Sequence, residues 1–330
     1  MPCTSDKKEI SDPAEAVKVG LRSCLTKCSR DAREFYIGSN VERCDVTPTP
    51  LKFYRDYVAK NIPCVFENSL NHWPALKKWN NSYLKKTIGS KEVTVAVTPN
   101  GYADAINKER FVLPEERLMT LNEFFEKTEN NECENEVFYI QKQNSNLTEE
   151  FQDLMVDVEK DIPWANEAFN KKPDAVNFWM GQSRAISSLH KDPYENLYCV
   201  IQGEKTFTLY PPCDRPFLPY KTYPIGRYKY SDGQWTIKSM PGESVPWIAV
   251  DPLNPDFKNY PQFENARPLI CRVRAGEMLY LPSLWFHHVQ QTDLTIAVNY
   301  WYDMEFDIKY GYYQTLDKLT EFLESTSVAD

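Results

Sequence analysis

The spacing of apolar residues predicts helices at the start of the chain. From Asp12-Pro13 to about Tyr36, apolar side chains recur with a period of about 3.6 residues, which is typical of an amphipathic helix, and Asp-Pro is a favourable helix start. Thr49-Pro50 starts a second, shorter helix. The apolar positions of the first helix are Val17, Leu21, Leu25, Cys28, Ala32 and Phe35.

Short strands and helices are then predicted to alternate as far as residue 161. The helix expected between Thr148 and Asp161 has apolar residues spaced for one buried face, and Pro163 is expected to end it. The other predicted elements are strands at Pro63–Phe66, Val93–Val97 and Val137–Gln141 and a helix from Thr120 to Lys127.

From Val176 onward the pattern indicates almost only β-structure. Residues 196–201 and 204–210 flank Gln202-Gly203 and predict a hairpin, in which Lys205, Phe207 and Leu209 share one face. Short strands with proline-rich corners favour a double-stranded β-helix of the jelly-roll type. The predicted fold class is therefore mostly β with flanking helices (α+β).

Two segments lie outside this regular pattern. Residues 213–268 form an insert rich in Tyr and Pro, which is predicted to be either a functional loop, such as a lid or binding surface, or a packed decoration. The last segment, Phe306 to Leu323, has helical spacing. Its predicted apolar stripe is Ile308, Tyr312, Leu316, Leu319 and Leu323.

These patterns predict one catalytic domain between two terminal elements. The predicted divisions are an N-terminal tail and helix over 1–45, a catalytic domain over 46–303 and a C-terminal helix over 304–330. Within the catalytic domain, we expect an N-terminal α/β elaboration at 46–134 and a barrel core at about 135–303 that carries the insert 213–268.

The chain contains a candidate metal site. His190 and Asp192 lie on one face of an extended segment because side chains alternate along a strand, and His287 follows much later. Two histidines and one carboxylate form the facial triad that holds non-haem Fe(II), although ligand identity alone leaves Zn or Mn as alternatives. Of the other two histidines, His288 becomes the ligand only if a bulge intervenes, and His72 is predicted to be an ordinary core or surface residue.

Lys205 is the second candidate functional residue. A lysine in phase with core residues is costly to bury unless it meets an anion. On its own, Lys205 is explained by an edge position from which the ammonium reaches solvent. Beside a metal triad, it instead suits the distal carboxylate of a dicarboxylate cosubstrate.

Several segments resemble the jumonji-C (JmjC) family of cupin-fold Fe(II)/2-oxoglutarate oxygenases. The resemblance extends from about residue 45 to about residue 320, and it is strongest to the (3S)-lysyl hydroxylase type. It is carried by His190-Lys191-Asp192 with Lys205, by the segment 276–289 (GEMLYLPSLWFHHV), and by the strings FYRD (53–56), NHWPAL (71–76), VAVTPNGYADA (95–105), PDAVNFW (173–179) and WYDME (301–305).

The resemblance implies Fe(II), 2-oxoglutarate and O2 as the reacting partners, with His190, Asp192 and His287 as catalytic metal ligands. It also implies that Lys205 and Tyr139 hold the far carboxylate of 2-oxoglutarate. Ser187 falls where relatives often carry Thr, and Asn196 and Asn299 fall near the metal-proximal carboxylate. Trp301 and the insert 213–268 are candidates for substrate binding.

The implied activity is hydroxylation of a lysyl side chain at C-3 in a protein, with developmentally regulated GTP-binding proteins, which are translation-linked GTPases, as the expected substrates. A histone-tail enzyme, either a demethylase or an endopeptidase, is the alternative. A non-catalytic metal-binding cupin is a third reading, against which the intact triad and lysine argue.

Composition and charge limit the classes of binding partner and the cellular location that we expect. The formal net charge of −9 argues against direct nucleic-acid binding and favours basic protein segments. No apolar run has the length of a membrane span, and the N-terminus lacks the pattern of a signal peptide. Nine scattered cysteines indicate reduced thiols, so we expect a cytoplasmic and also nuclear location. The apolar stripes of the two terminal helices predict a homodimer.

Overall fold

A computed structural model describes residues 13–129, 135–292 and 294–325. Its α-helices are α1 (Pro13–Ala32), α2 (Pro50–Phe53), α3 (Ala75–Lys78), α4 (Asn81–Ile88), α5 (Leu121–Glu129), α6 (Asn146–Glu149), α7 (Pro163–Phe169) and α8 (Ile308–Ser325). π-helical turns at Arg33–Ile37 and Tyr54–Val58 extend α1 and α2, and 3₁₀ turns lie at Gln152–Asp157, Pro212–Phe217 and Pro261–Asn265. Among the described helices, none is long and apolar enough to cross a membrane.

The strands form three sheets. In chain order they are β1 (Glu42–Cys44), β2 (Cys64–Phe66), β3 (Glu92–Thr98), β4 (Tyr102–Ala103), β5 (Ala105–Asn107), β6 (Arg110–Leu113), β7 (Glu115–Thr120), β8 (Val137–Ile140), β9 (Ala175–Gly181), β10 (Ile186–His190), β11 (Tyr194–Gln202), β12 (Glu204–Tyr210), β13 (Tyr220–Ser231), β14 (Gln234–Ile248), β15 (Leu269–Arg274), β16 (Met278–Leu281), β17 (Phe286–Gln291) and β18 (Thr295–Asp303).

Two of these sheets enclose the core that supports the site. The large sheet has the order β1-β2-β16-β11-β18-β9-β8-β3-β7, and the small sheet has the order β15-β12-β17-β10-β4. Trp179 and Tyr198 of the large sheet pack in one buried cluster with Phe207, Val273 and Val289 of the small sheet. This face-to-face arrangement of mainly antiparallel strands agrees with the predicted jelly-roll fold and the mostly β class.

Helices cover the outer face of the large sheet. Phe53 of α2, Leu84 of α4 and Phe124 of α5 share a second buried cluster with Phe178 of β9 and Val298 of β18. Strands of the large sheet are therefore buried on both faces, which explains why their sequences read as continuous apolar runs rather than as an alternation. This support fixes β9 and β18 against the core on which the site is built.

The predicted hairpin at residues 196–210 is wrong. β11 pairs with β16 and β18 in the large sheet, whereas β12 pairs with β15 and β17 in the small sheet. Gly203 makes the crossing between sheets with φ +77°, and a Cβ there would lie 2.5 Å from the Oγ1 of Thr295. The turn signal was real, but the partners of both strands lie far away in the sequence.

The insert 213–268 is not a long loop. Its centre is the antiparallel hairpin β13–β14, closed by Asp232 (φ 52°) and Gly233 (φ 78°). Asp-Gly is a strong two-residue hairpin signal that the proline-rich composition concealed. β13 also pairs in parallel with β6, which completes a third sheet of order β14-β13-β6-β5.

The long helix predicted from Thr148 to Asp161 is also wrong. It is replaced by α6 and the 3₁₀ turn at Gln152–Asp157, and Pro163 begins α7 instead of ending a helix. Asn146 exchanges hydrogen bonds with the main chain of Phe178, and buried Asp157 accepts hydrogen bonds from several side chains. Side-chain hydrogen bonds to β9 and to the segment around α3 therefore compete with a continuous helix.

The terminal helices form where they were predicted, but their buried faces differ from the predicted stripes. α1 buries Leu25 and Ser29, while Phe35 in the following turn is exposed. α8 buries its positions Tyr313, Thr320 and Leu323, while Ile308 and Tyr312 are exposed. Each helix therefore packs against the barrel and leaves part of its apolar surface uncovered.

Candidate functional site

His190, Asp192 and His287 meet at one point between the sheets. His190 ends β10 and lies directly opposite His287 of β17 in the antiparallel register. Asp192 Oδ2 lies 3.8 Å from His190 Nε2 and 3.6 Å from His287 Nε2. One ligand atom from each residue lies within 4.8 Å of the others, so the three can contact one ion.

Main-chain carbonyls orient both imidazoles. His190 Nδ1 lies 2.7 Å from the carbonyl oxygen of Ser188, and His287 Nδ1 lies 3.0 Å from that of Trp285. Each Nδ1–H therefore donates to the main chain, and each Nε2 presents its lone pair to the centre. Burial, reinforced by the neighbouring His190, lowers the pKa of His287 to about 4. The ring is neutral at physiological pH, as a metal ligand must be.

The other two histidines lie elsewhere. His288 is buried on the opposite side of β17, and its ring nitrogens have no hydrogen-bond partner among the described residues. Its nearest charged neighbour is Asp251, at 3.9 Å. His72 is exposed, with its Nε2 at 3.3 Å from Glu159. The geometry thus brings His287, and not His288, to His190 and Asp192.

A cavity of about 460 Å³ opens from the three clustered residues. Its volume suits a small dicarboxylate together with one substrate side chain. It is lined by all three members of the cluster and by four further residues singled out in the sequence, namely Ser187, Asn196, Asn299 and Trp301.

Lys205 is buried next to this cavity. Its ammonium donates to the hydroxyl of Tyr139 at 3.0 Å and to the Oε1 of Gln291 at 2.5 Å. Burial lowers the pKa of Lys205 to about 7, and no described carboxylate offsets the cost of its charge. Lys205 and Tyr139 are not among the described residues that line the cavity, but Tyr139 hydrogen-bonds Ser187 and Tyr198, which do line it.

Two residues that sequence reasoning missed hold this lysine in place. Gln291 accepts from Lys205 and donates to the carbonyl oxygen of Gln182 at 2.8 Å. Gly181 allows the close packing, since a Cβ there would lie 2.4 Å from the Tyr139 ring and 3.0 Å from Gln291 Nε2. Gln291 follows His287 by four residues on one strand, so the two side chains lie on the same face. This spacing is the signal that could have revealed Gln291.

Side-chain amides form the floor of the cavity. Asn299 Oδ1 accepts from Trp179 Nε1 at 2.7 Å and from Asn177 Nδ2 at 3.2 Å, and Asn299 Nδ2 donates to Asn196 Oδ1 at 3.0 Å. Asn196 stands opposite Trp301 in the β11–β18 register. The Nε1–H of Trp301 is buried and has no partner among the described residues.

The cavity also contains residues that no sequence motif singled out individually. Asp104 and Glu116 supply carboxylates, Arg227 supplies a guanidinium, and Phe111 and Trp247 supply aromatic walls. Arg227 and Trp247 come from the β13–β14 hairpin, so the insert reaches the cavity. These residues were missed because their strands meet the site only through sheet pairing distant in the sequence.

Comparison with known proteins identifies the family. A family model described as "Cupin-like domain" matches residues 50–308. The chain is 52% identical over 311 residues to "Bifunctional peptidase and (3S)-lysyl hydroxylase JMJD7" of Homo sapiens, which covers 93% of this chain and 98% of that protein. It is 41% identical to "Lysine-specific demethylase JMJ32" of Arabidopsis thaliana (88% and 89% covered) and 40% identical to "JmjC domain-containing protein E" of Dictyostelium discoideum (90% and 93% covered). The chain therefore belongs to the cupin-like, jumonji-C family.

Proposed function

We propose that this protein is an Fe(II)- and 2-oxoglutarate-dependent dioxygenase that hydroxylates a lysyl side chain at C-3 in a protein substrate. The observation that carries the proposal is the cluster of His190, Asp192 and His287 at one end of a cavity, with the uncompensated ammonium of Lys205 behind it. The cluster accounts for a metal, and the lysine accounts for an anionic cosubstrate.

The donor set fits a catalytic metal. Two neutral imidazoles and one carboxylate would hold the ion and leave three positions of an octahedron open. A zinc or manganese cupin could use the same ligands, so the metal is argued from the rest of the site. Lys205 offers a charge to a carboxylate that the described chain does not supply, which favours 2-oxoglutarate as cosubstrate and hence iron.

The protein residues would bind and orient the cosubstrate. Lys205 and Tyr139 would donate to its far carboxylate, while Ser187 would hold Tyr139 in place. Asn196 and Asn299 would face its metal-proximal end through their shared hydrogen-bond network. When bound, iron and 2-oxoglutarate supply the activation of dioxygen for hydroxylation of a C–H bond, with succinate and CO2 as coproducts.

The substrate class is argued from the relatives and from the net charge. The human relative is named as a (3S)-lysyl hydroxylase, and an acidic chain favours basic protein segments. We place developmentally regulated GTP-binding proteins first among the candidate substrates. We propose that the protein encounters its substrate in the cytoplasm and also in the nucleus.

A histone-tail enzyme is the second candidate. It is favoured by the names of two relatives, one a peptidase as well as a hydroxylase and the other a lysine-specific demethylase. The same cavity could hold a methylated lysine, and the two activities differ in their products rather than in their metal site.

Product masses distinguish these candidates. Purified protein is incubated with Fe(II), 2-oxoglutarate and either a developmentally regulated GTP-binding protein or histones. Our proposal predicts that one lysyl residue gains the mass of one oxygen atom. Loss of a methyl group, or chain cleavage, would replace it with the second candidate. Asp192→Ala serves as the control, because loss of a metal ligand should abolish 2-oxoglutarate turnover without unfolding the protein.

A further inference from the structure

Asp104 supplies a carboxylate to the cavity. It lies between β4 and β5 with φ 54°, a left-handed conformation that Asp adopts more readily than most residues. Its Oδ2 accepts one hydrogen bond, from Gln141 Nε2 at 3.1 Å. Within the described part of the chain it forms no direct ion pair, and burial raises its pKa against the weaker opposing attraction of His190 and Arg227.

Strand pairing ties Asp104 to the candidate metal ligands. β4 pairs in parallel with β10, which places Ala103 beside Ser187. Ser188 Oγ donates to the main-chain oxygen of Asp104 at 2.6 Å, and the carbonyl oxygen of Ser188 accepts from His190. Asp104 is therefore held in a fixed position relative to His190.

The space beside this carboxylate suits an aliphatic chain. Trp247 is stacked over His190, with their centroids 6.3 Å apart and their planes 9° apart, and its ring centroid is 4.6 Å from that of Phe111. Trp301 also lines the cavity, with a buried Nε1–H that lacks a protein acceptor among the described residues. The cavity thus offers apolar walls, one anion and one unused donor.

Two other charged residues of the cavity are poorer candidates for a cation. Glu116 is exposed, so solvent would weaken its attraction for a charged side chain. Arg227 carries the wrong sign, and its Nη1 donates to the carbonyl oxygen of Pro114 at 3.2 Å. Compared with Glu116, Asp104 is the carboxylate that is shielded from solvent and held in a fixed position, so it is the better partner for a lysine ammonium.

We propose that Asp104 binds the ammonium of the substrate lysine, with the aliphatic stem of that lysine against Trp247 and Phe111. This inference rests on the proposed lysyl hydroxylase function and adds the residue that selects lysine. With its ammonium bound at Asp104, the substrate lysine would extend its side-chain carbons toward the metal centre. A charge-assisted hydrogen bond of this kind contributes roughly tenfold or more in affinity.

The first test uses two peptides that contain the hydroxylated position, one with lysine and one with norleucine. For the wild type, kcat/KM should favour the lysine peptide by about tenfold or more. Asp104→Asn should remove this preference. Asn tolerates a positive φ, so the fold should be retained. Glu116→Gln, which removes a charge elsewhere in the cavity, should keep the preference to within about twofold.

A binding measurement separates this inference from the proposed function. Mn(II)-loaded protein without dioxygen is titrated with Nα-acetyl-lysine amide and with Nα-acetyl-norleucine amide, using tryptophan fluorescence. Wild type should bind the lysine compound more tightly, and Asp104→Asn should bind both equally. Equal binding by wild type, or an unchanged preference in Asp104→Asn, would overturn the role of Asp104. Wild type that prefers lysine but adds no oxygen to it would contradict the proposed function instead.

Discussion

At the scale of single residues, Lys205 shows how the environment gives an ordinary side chain a specific role. It sits in a core strand with Phe207 and Leu209, as the alternation predicted, and is 2% exposed. The sequence could predict which face it occupies. It could not reveal Gln291 or Gly181, because their contacts with Lys205 and Tyr139 arise only when β9, β12 and β17 come together.

Replacing Lys205 by Met should stabilise the protein in a pH-dependent way. Because burial lowers the pKa of Lys205 from 10.5 to about 7, the unfolded chain holds more protons than the folded one between these values. The wild type therefore loses stability as the pH falls from about 10.5 to about 7, and the loss is complete below that. Urea unfolding at several pH values should show an advantage of Lys205→Met that grows toward low pH. An advantage independent of pH would contradict a buried, titrating lysine.

Lys205→Ala should weaken binding of 2-oxoglutarate more than binding of the protein substrate. The lost charge-assisted hydrogen bond is worth about 1.5–3 kcal/mol, which corresponds to a roughly tenfold or greater rise in the apparent KM for 2-oxoglutarate. Initial rates at varied 2-oxoglutarate and at varied substrate separate the two effects. An unchanged dependence on 2-oxoglutarate would remove Lys205 from the site. Lys86→Ala, at an exposed lysine of α4, is the matched control and should leave both dependences unchanged.

At the scale of elements, the turn between β16 and β17 sets the position of His287. Glu195 of β11 is buried, and its carboxylate accepts from Tyr280 Oη at 2.7 Å, from Ser283 Oγ at 2.9 Å and from Ser283 N at 3.2 Å. Leu284 in the same turn has φ 68°. The apolar runs made the strands on either side of this turn predictable from the sequence. The contact of Glu195 with the turn was not predictable, because it joins segments that are far apart in the chain.

Glu195→Ala should both destabilise the fold and weaken metal binding. It leaves buried donors of Tyr280 and Ser283 unpaired, at a cost of about 1–3 kcal/mol for each unsatisfied group. The free energy of unfolding in urea and the affinity for Mn(II) should fall together. Glu305→Ala, at an exposed position, should leave both within error. Destabilisation with unchanged metal affinity would show that the turn does not position His287.

At the scale of the whole molecule, the jelly-roll class was predictable, because its strands and its motifs can each be recognised within short segments of the sequence. The crossing at Gly203 and the pairing of β13 with β6 were not, because sheet membership depends on partners far along the chain. The uncovered apolar surface is the remaining feature at this scale. Phe35 is 77% exposed, Tyr312 72%, Ile308 71% and Phe306 68%.

The terminal helices should pair two copies of the chain. Light scattering of the reduced protein should give twice the monomer mass of 38.5 kDa, because association would cover these apolar side chains. Tyr312→Glu should yield the monomer, whereas Lys318→Glu, an exposed change on the same helix, should not. Reducing agent is needed because Cys24 and Cys28 are exposed. A wild-type mass of one chain would contradict the dimer.

The central claim is that the His190, Asp192 and His287 site uses dioxygen and 2-oxoglutarate to hydroxylate a lysyl residue. Its most direct test is turnover of a developmentally regulated GTP-binding protein under dioxygen labelled with oxygen-18, followed by mass spectrometry of the substrate and of the succinate. We expect one heavy oxygen on C-3 of a single lysyl residue and one in succinate, in equal amounts, and neither product with Asp192→Ala. A lysyl product that carries oxygen from water, or substrate modification without succinate, would contradict the account.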